Sequence, residues 1–136
     1  MYPEELVMPM KAELTDKGFR DLTTAEEVNT ALKSEGTTLL VINSVCGCAA
    51  GAARPGVVFS LTGDKQPDRL TTVFAGFDTD AVSEARKFLA PFPPSSPCVA
   101  LFKDGELVHM LERHHIEGNP AGAIDANLQS AYDEYC

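Results

Sequence analysis

Thr38-Leu39-Leu40-Val41-Ile42-Asn43-Ser44-Val45-Cys46-Gly47-Cys48-Ala49-Ala50-Gly51-Ala52-Ala53 is the stretch on which the fold turns. Its first six residues are an apolar, partly β-branched run of strand length. The residues after Cys48 are small and Ala-rich, which favours helix despite Gly51. Two cysteines therefore sit where a buried strand hands over to a helix. The first turn of a helix leaves backbone N–H groups unpaired and carries partial positive charge. A thiolate is stabilised there, so a thiol pKa falls from about 8.5 toward the ~3.5–7.5 range of reactive cysteines. Cys46 and Cys48 thus read as catalytic thiols rather than as two inert buried cysteines, the alternative that free cysteines ordinarily invite. A bond between them would close a very small ring, and the bend it needs falls to Gly47, which lacks a Cβ. A bond held in poor geometry is easily reduced and suits exchange better than stapling.

Working outward, the chain before this stretch reads as two helices. One runs from about Tyr2 to Lys17 and is interrupted at Pro9, with Leu6, Val7, Met10 and Leu14 as its buried face. The other opens with the capping box Thr24-Ala25-Glu26-Glu27 and ends near Ser34. After the stretch, Arg54-Pro55-Gly56 predicts a kink or restart of the helix. A second strand follows at Leu70–Ala75, then a helix capped by Asp78 or Thr79 and running to about Leu89. The proline and serine loop from Pro91 to Pro97 leads into a third strand, Cys98–Phe102. Asp104-Gly105 predicts a tight type I′ hairpin into a fourth, Leu107–Leu111. Asn119-Pro120 opens a last helix, to about Tyr132. This order is that of a thioredoxin-like α/β fold: a three-layer sandwich with a mixed sheet of about four strands, helices on both faces and extra N-terminal helices. One domain over residues 1–136 is expected, since no repeat or linker divides the chain.

With 11 basic against 20 acidic residues the net charge is −9, which disfavours nucleic-acid binding. No apolar run reaches membrane-span length, and Met1-Tyr2-Pro3-Glu4-Glu5 lacks the basic start of a signal peptide. The expected location is the cytoplasm, where structural disulfides are rare and four cysteines are better read as redox or ligand groups.

The stretch Asn43-Ser44-Val45-Cys46-Gly47-Cys48-Ala49-Ala50-Gly51, with Ala53-Arg54-Pro55 after it, resembles the signature of the bacilliredoxins, thioredoxin-like proteins earlier described as thiol–disulfide isomerases. Leu22–Val28, Thr72–Gly76, Pro94–Pro97, Arg113-His114, Ile116–Gly118 and Cys136 extend the resemblance over nearly the whole chain. It departs at Cys98, where a serine is expected. The resemblance implies removal of bacillithiol, a low-molecular-weight thiol, from S-bacillithiolated client proteins, with Cys46 attacking and Cys48 resolving. A general disulfide isomerase, or a non-catalytic metal-binding or redox-sensing module on the same cysteines, is the alternative. No metal and no organic cofactor is implied.

In the thioredoxin-like frame Ser96 and Pro97 occupy the cis-proline loop opposite the thiols, which with Gly47 makes them substrate-binding candidates. Cys98 reads as a buried core cysteine and Cys136 as an exposed bystander. His114, His115 and Glu117 follow the fourth strand near the same sheet edge. Combined with the cysteines they are a poor zinc set, because one residue between the cysteines is below the usual two to four. Arg54 reads as a surface charge or salt bridge, and Asn43 and Ser44 as groups that satisfy local backbone.

Overall fold

A computed structural model describes all residues 1–136. The elements in chain order are helix α1 (Glu4–Thr15), strand β1 (Arg20–Asp21), α2 (Ala25–Leu32), β2 (Thr37–Asn43), a π-helical turn (Ala49–Ala53), α3 (Arg54–Ser60), β3 (Arg69–Phe74), α4 (Thr79–Leu89), β4 (Cys98–Lys103), β5 (Glu106–Leu111), α5 (Arg113–Ile116) and α6 (Ala121–Tyr135). The sheet order is β1-β3-β2-β4-β5. Strands β1 and β2 run parallel to β3, while β4 is antiparallel to both β2 and β5. No helix is long and apolar enough to cross a membrane.

β2 is central and buried along its whole length, as its unbroken apolar run implies. Its alternate side chains feed two cores. Leu39 and Val41, with Val99, Leu101 and Leu111, pack against Val57 of α3 and Ile124, Leu128 and Tyr132 of α6. Leu40 and Ile42, with Val73, Cys98 and Phe102, pack against Val28 and Leu32 of α2 and Ala81, Ala85 and Leu89 of α4. A side chain at Gly56 would stand 2.6 Å from the Ile124 Cβ and 2.9 Å from the Ala121 carbonyl. The missing side chain is thus what lets α3 lie so close to α6. The hairpin turn has Asp104 at φ 52° and Gly105 at φ 83°, the left-handed pair that a type I′ turn requires.

Four details differ from the sequence expectation. The sheet has five strands, because β1 pairs with β3 through only two residues, Arg20 and Asp21, too few to leave a periodic signal. α1 runs unbroken through Pro9. The proline deprives only the Glu5 carbonyl of its partner, and Glu5 is exposed to solvent. The buried face of α1 is Val7, Lys11 and Leu14, while Leu6 is exposed and Met10 half-buried. Lys11 takes the core position because its Nζ meets Asp78 at 2.7 Å and Asp21 at 2.9 Å, above the Phe77 ring at 5.0 Å. Finally, the segment after β5 is not a plain loop: Arg113–Ile116 form a helical turn, capped by Glu112 and His115 through reciprocal side-chain to backbone bonds.

Half of the Thr24 capping box forms: the Glu27 N–H donates to Thr24 Oγ1 at 3.1 Å, while the Glu27 carboxylate accepts the N–H of Thr23, one residue earlier, at 3.1 Å. At Arg54-Pro55 the winding restarts as α without a break in the helix: Ala53 and Arg54 keep helical φ and ψ, and Pro55 stands in the first turn of α3. What precedes that restart is a π-helical turn, a wider winding of the sort found beside functional sites.

Candidate active site

β2 delivers Asn43 to the middle of the sheet end, opposite Phe74 of β3, with the neighbouring Ile42 opposite Cys98 of β4. The chain then turns through Ser44, whose Oγ accepts the Cys46 N–H at 3.1 Å. The Cys46 carbonyl accepts N–H groups from Ala49 and Ala50 at 3.0 and 3.3 Å, so helical winding begins at the first cysteine. Cys46 and Cys48 are half-buried free thiols on either side of exposed Gly47, with their sulfurs 2.6 Å apart.

The two thiols are driven in opposite directions. Cys46 is held below the ordinary thiol value, first by the hydrogen bond from Cys48, then by the Cys48 N–H at 3.4 Å, the Arg113 charge and the Ala49 N–H, which together outweigh its partial burial. Cys48 is held above it by burial, by its hydrogen bond to Cys46 and by the negative charge of Cys46, with Arg113 opposing. The two thiols therefore titrate as a pair, with Cys46 favoured as the thiolate and Cys48 as the thiol.

Below the loop lies Arg54, whose side chain is only 2 % exposed. Its Nη1 donates to Asn43 Oδ1 at 2.9 Å and to the Ser44 carbonyl at 2.8 Å, and its Nε meets Glu13 of α1 at 3.1 Å. Asn43 in turn donates to the Met10 carbonyl and accepts the Ser44 N–H. Arg54 is therefore not a surface charge: it ties α1 to the strand end that carries the cysteines. Asn43 likewise reaches beyond its own backbone to α1.

Opposite the thiols, the Ser96–Pro97 bond is cis and Pro97 is buried. Cys98, directly after it, is fully buried on the α2/α4 side, and burial pushes its thiol up to about 11 against the opposing pull of Arg86. It belongs to the core. Cys136 is exposed.

Arg113 joins the two walls of the site. Its Nη2 lies 3.2 Å from Cys46 Sγ, its Nη1 donates to the Ser96 carbonyl at 3.1 Å, and its Nε faces Glu117 Oε2 at 3.3 Å. Its backbone N–H donates to Ser95 Oγ at 3.3 Å. The neighbouring histidines draw attention in the sequence, but this arginine is the residue that reaches the sulfur. The signal for it is topological. An antiparallel hairpin that leaves the site at Cys98 must return there at its end, and Leu111 does pair with Val99.

Glu112, His114 and His115 bring three ligand atoms within 4.8 Å of one another. However, both His115 and Glu112 are already engaged in capping α5, His115 Nδ1 accepting the Glu112 N–H at 3.0 Å. The cluster serves as a helix cap.

The chain is 60% identical to a bacilliredoxin of Cytophaga hutchinsonii over 134 residues, 98% of this chain and 99% of that one. It is 55% identical to a bacilliredoxin of Halalkalibacterium halodurans over 136 residues, 99% of this chain and 94% of that one. Among solved structures it is similar to oxidised mitochondrial thioredoxin 3 from Saccharomyces cerevisiae (TM-score 0.59, 15% identity, 90% of this chain and 98% of that one). It is also similar to oxidised thioredoxin from Plasmodium falciparum (TM-score 0.58, 19% identity, 87% of this chain and 98% of that one). The sheet order and flanking layers are those of a thioredoxin-like fold, and with these relatives they define the class: the protein is a thiol–disulfide oxidoreductase. More closely, the chain belongs to the family described as "Disulphide isomerase", which matches residues 2–136.

Proposed function

We propose that this enzyme removes bacillithiol from protein mixed disulfides in the cytoplasm, with Cys46 as the attacking and Cys48 as the resolving thiol. The observation that carries the reading is the opposite displacement of the two thiols, one toward thiolate and one toward thiol. Kinship with proteins named bacilliredoxin supports the choice of substrate.

The Cys46 thiolate attacks the bacillithiol sulfur. A Cys46–bacillithiol bond forms, the client–bacillithiol bond breaks, and the client cysteine leaves as a thiolate that takes up a proton. Cys46 has now lost its charge, and with it one of the causes that keep Cys48 protonated. Cys48 gives its proton to solvent and attacks Cys46, releasing bacillithiol as a thiolate and leaving a Cys46–Cys48 bond. Two electrons pass from the enzyme dithiol to the mixed disulfide, and a thiol reductant restores the dithiol. Exposed Gly47, between the cysteines, and the Ser96-Pro97 segment, linked to the Cys46 sulfur through Arg113, are the substrate-binding walls in this reading. Nothing in this sequence of steps calls for a metal or organic cofactor.

A Cys46→Ser variant loses turnover, and a Cys48→Ser variant accumulates one bacillithiol on Cys46, read by intact mass. Turnover retained by Cys46→Ser rejects the mechanism. General disulfide isomerisation is the second reading, favoured by the description of the matching family. Rates on bacillithiol-capped, glutathione-capped and scrambled-disulfide substrates separate the two.

A further inference from the structure

Arg113 belongs to neither cysteine segment, yet its three guanidinium nitrogens are all engaged at the site. One terminal nitrogen is on Cys46 Sγ, the other on the Ser96 carbonyl, and Nε is on Glu117. We propose that Arg113 is a catalytic residue of the exchange: its guanidinium is the counter-charge of the Cys46 sulfur and, gripping Ser96, holds the loop opposite in place around that sulfur. The proposal rests on Cys46 being the attacking thiol.

The geometry suits arginine in particular. A planar fork serves two acceptors in fixed directions, whereas an ammonium is a point charge on a flexible stem. The Arg113 backbone is pinned as well, by its N–H to Ser95 Oγ and by its place in the first turn of α5. The cation therefore stands ready before substrate arrives, as electrostatic catalysis requires. Its effect is selective between states. Cys46 carries charge as the free thiolate and none in a mixed disulfide, so Arg113 favours the attacking form over the bonded one.

The charged groups around the pair are few. Cys48 lies on the same loop. Glu117, directly after α5, draws on the guanidinium, and Glu112 and His115 are occupied in the cap of that turn. Arg86 of α4 donates to the Ser95 carbonyl, and Arg54 is committed below to Asn43, Ser44 and Glu13. Glu117 is thus the group that moderates Arg113, because it competes for the same cation.

The test is the pH profile of iodoacetamide alkylation at Cys46, located by peptide mass, in the reduced full chain and in Arg113→Gln, Arg113→Lys and Glu117→Gln. An opposite charge in contact lowers a pKa by about 1–3 units, less where solvent screens it, so Arg113→Gln should raise the alkylation midpoint by about 0.5–1 unit. Alkylation below the midpoint then slows by roughly three- to tenfold. Arg113→Lys restores much of the midpoint but little of the turnover, because charge returns without the fork. Glu117→Gln moves the midpoint down. An unchanged midpoint in Arg113→Gln overturns the proposal, as does an Arg113→Lys midpoint as high as that of Arg113→Gln. Either result, with Cys46→Ser still inactive, rejects the role of Arg113 alone. An active Cys46→Ser rejects the underlying mechanism instead.

Discussion

Replacing Arg54 by methionine tests whether the buried guanidinium is what sets the strand end that carries the cysteines. Methionine keeps a long apolar stem in place, so the change removes charge and donors more than volume. Arg54 Nη1 donates to two buried acceptors, Asn43 Oδ1 at 2.9 Å and the Ser44 carbonyl at 2.8 Å. Without it Asn43 Oδ1 keeps the Ser44 N–H at 2.8 Å, whereas the Ser44 carbonyl loses its donor. A stranded buried acceptor costs about 1–3 kcal/mol, and losing a charged donor to a second acceptor costs a similar amount. The variant also escapes the several kcal/mol of desolvation that a buried cation carries, which offsets part of the loss. Glu13, 49 % exposed, returns to water at little cost. The net expectation is a loss of about 2 kcal/mol, or roughly 6–10 °C in Tm for a chain of this size. Urea unfolding of the reduced protein is the assay, with the midpoint falling at unchanged slope. A variant as stable as the parent, or more stable, would show that desolvation outweighs the hydrogen bonds and that the clamp is not structural.

Two further outcomes follow from groups away from the thiol pair. Burial lowers the Lys11 pKa, but hydrogen bonds and charges from Asp78 and Asp21 outweigh it, so the folded value lies above the ordinary 10.5. Its stabilisation is therefore complete below that pH and fades as pH climbs through the raised value. Lys11→Met should cost about 3 kcal/mol at neutral pH by leaving two carboxylates without their cation, and the gap to the parent should narrow above pH 10.5; a gap independent of pH refutes the pairing. Cys98, with its thiol pushed up to about 11 by burial, should resist alkylation in the native state and react only on unfolding. Labelling of Cys98 as fast as exposed Cys136, followed by peptide mass, refutes its assignment to the core.

The central strand and the thiol pair were legible because both are local. Leu39–Ile42 is apolar at four successive positions, as a doubly covered strand requires, and Cys46-Gly47-Cys48 follows shortly after it. The hairpin was legible for the same reason, since Asp104-Gly105 carries its turn type in two residues. What stayed hidden depends on partners distant in sequence. Arg54 is polar and gives no hint of burial until Asn43, Ser44 and Glu13 are brought around it. Lys11 breaks the apolar face of α1 unless Asp21 and Asp78 are known to meet it. β1 has too few residues to show a period, and Arg113 gains meaning only when the hairpin carries it back to Cys46.

That return has a bearing on synthesis. Arg113 and Cys46 are separated by 67 positions, with β3, α4 and the whole hairpin between them. A chain emerging from the ribosome exposes both thiols long before the guanidinium that stands beside one of them in the fold has been translated. Whatever Arg113 adds to Cys46 is therefore missing from the nascent polypeptide, and arrives only when the β4–β5 pair closes against β2.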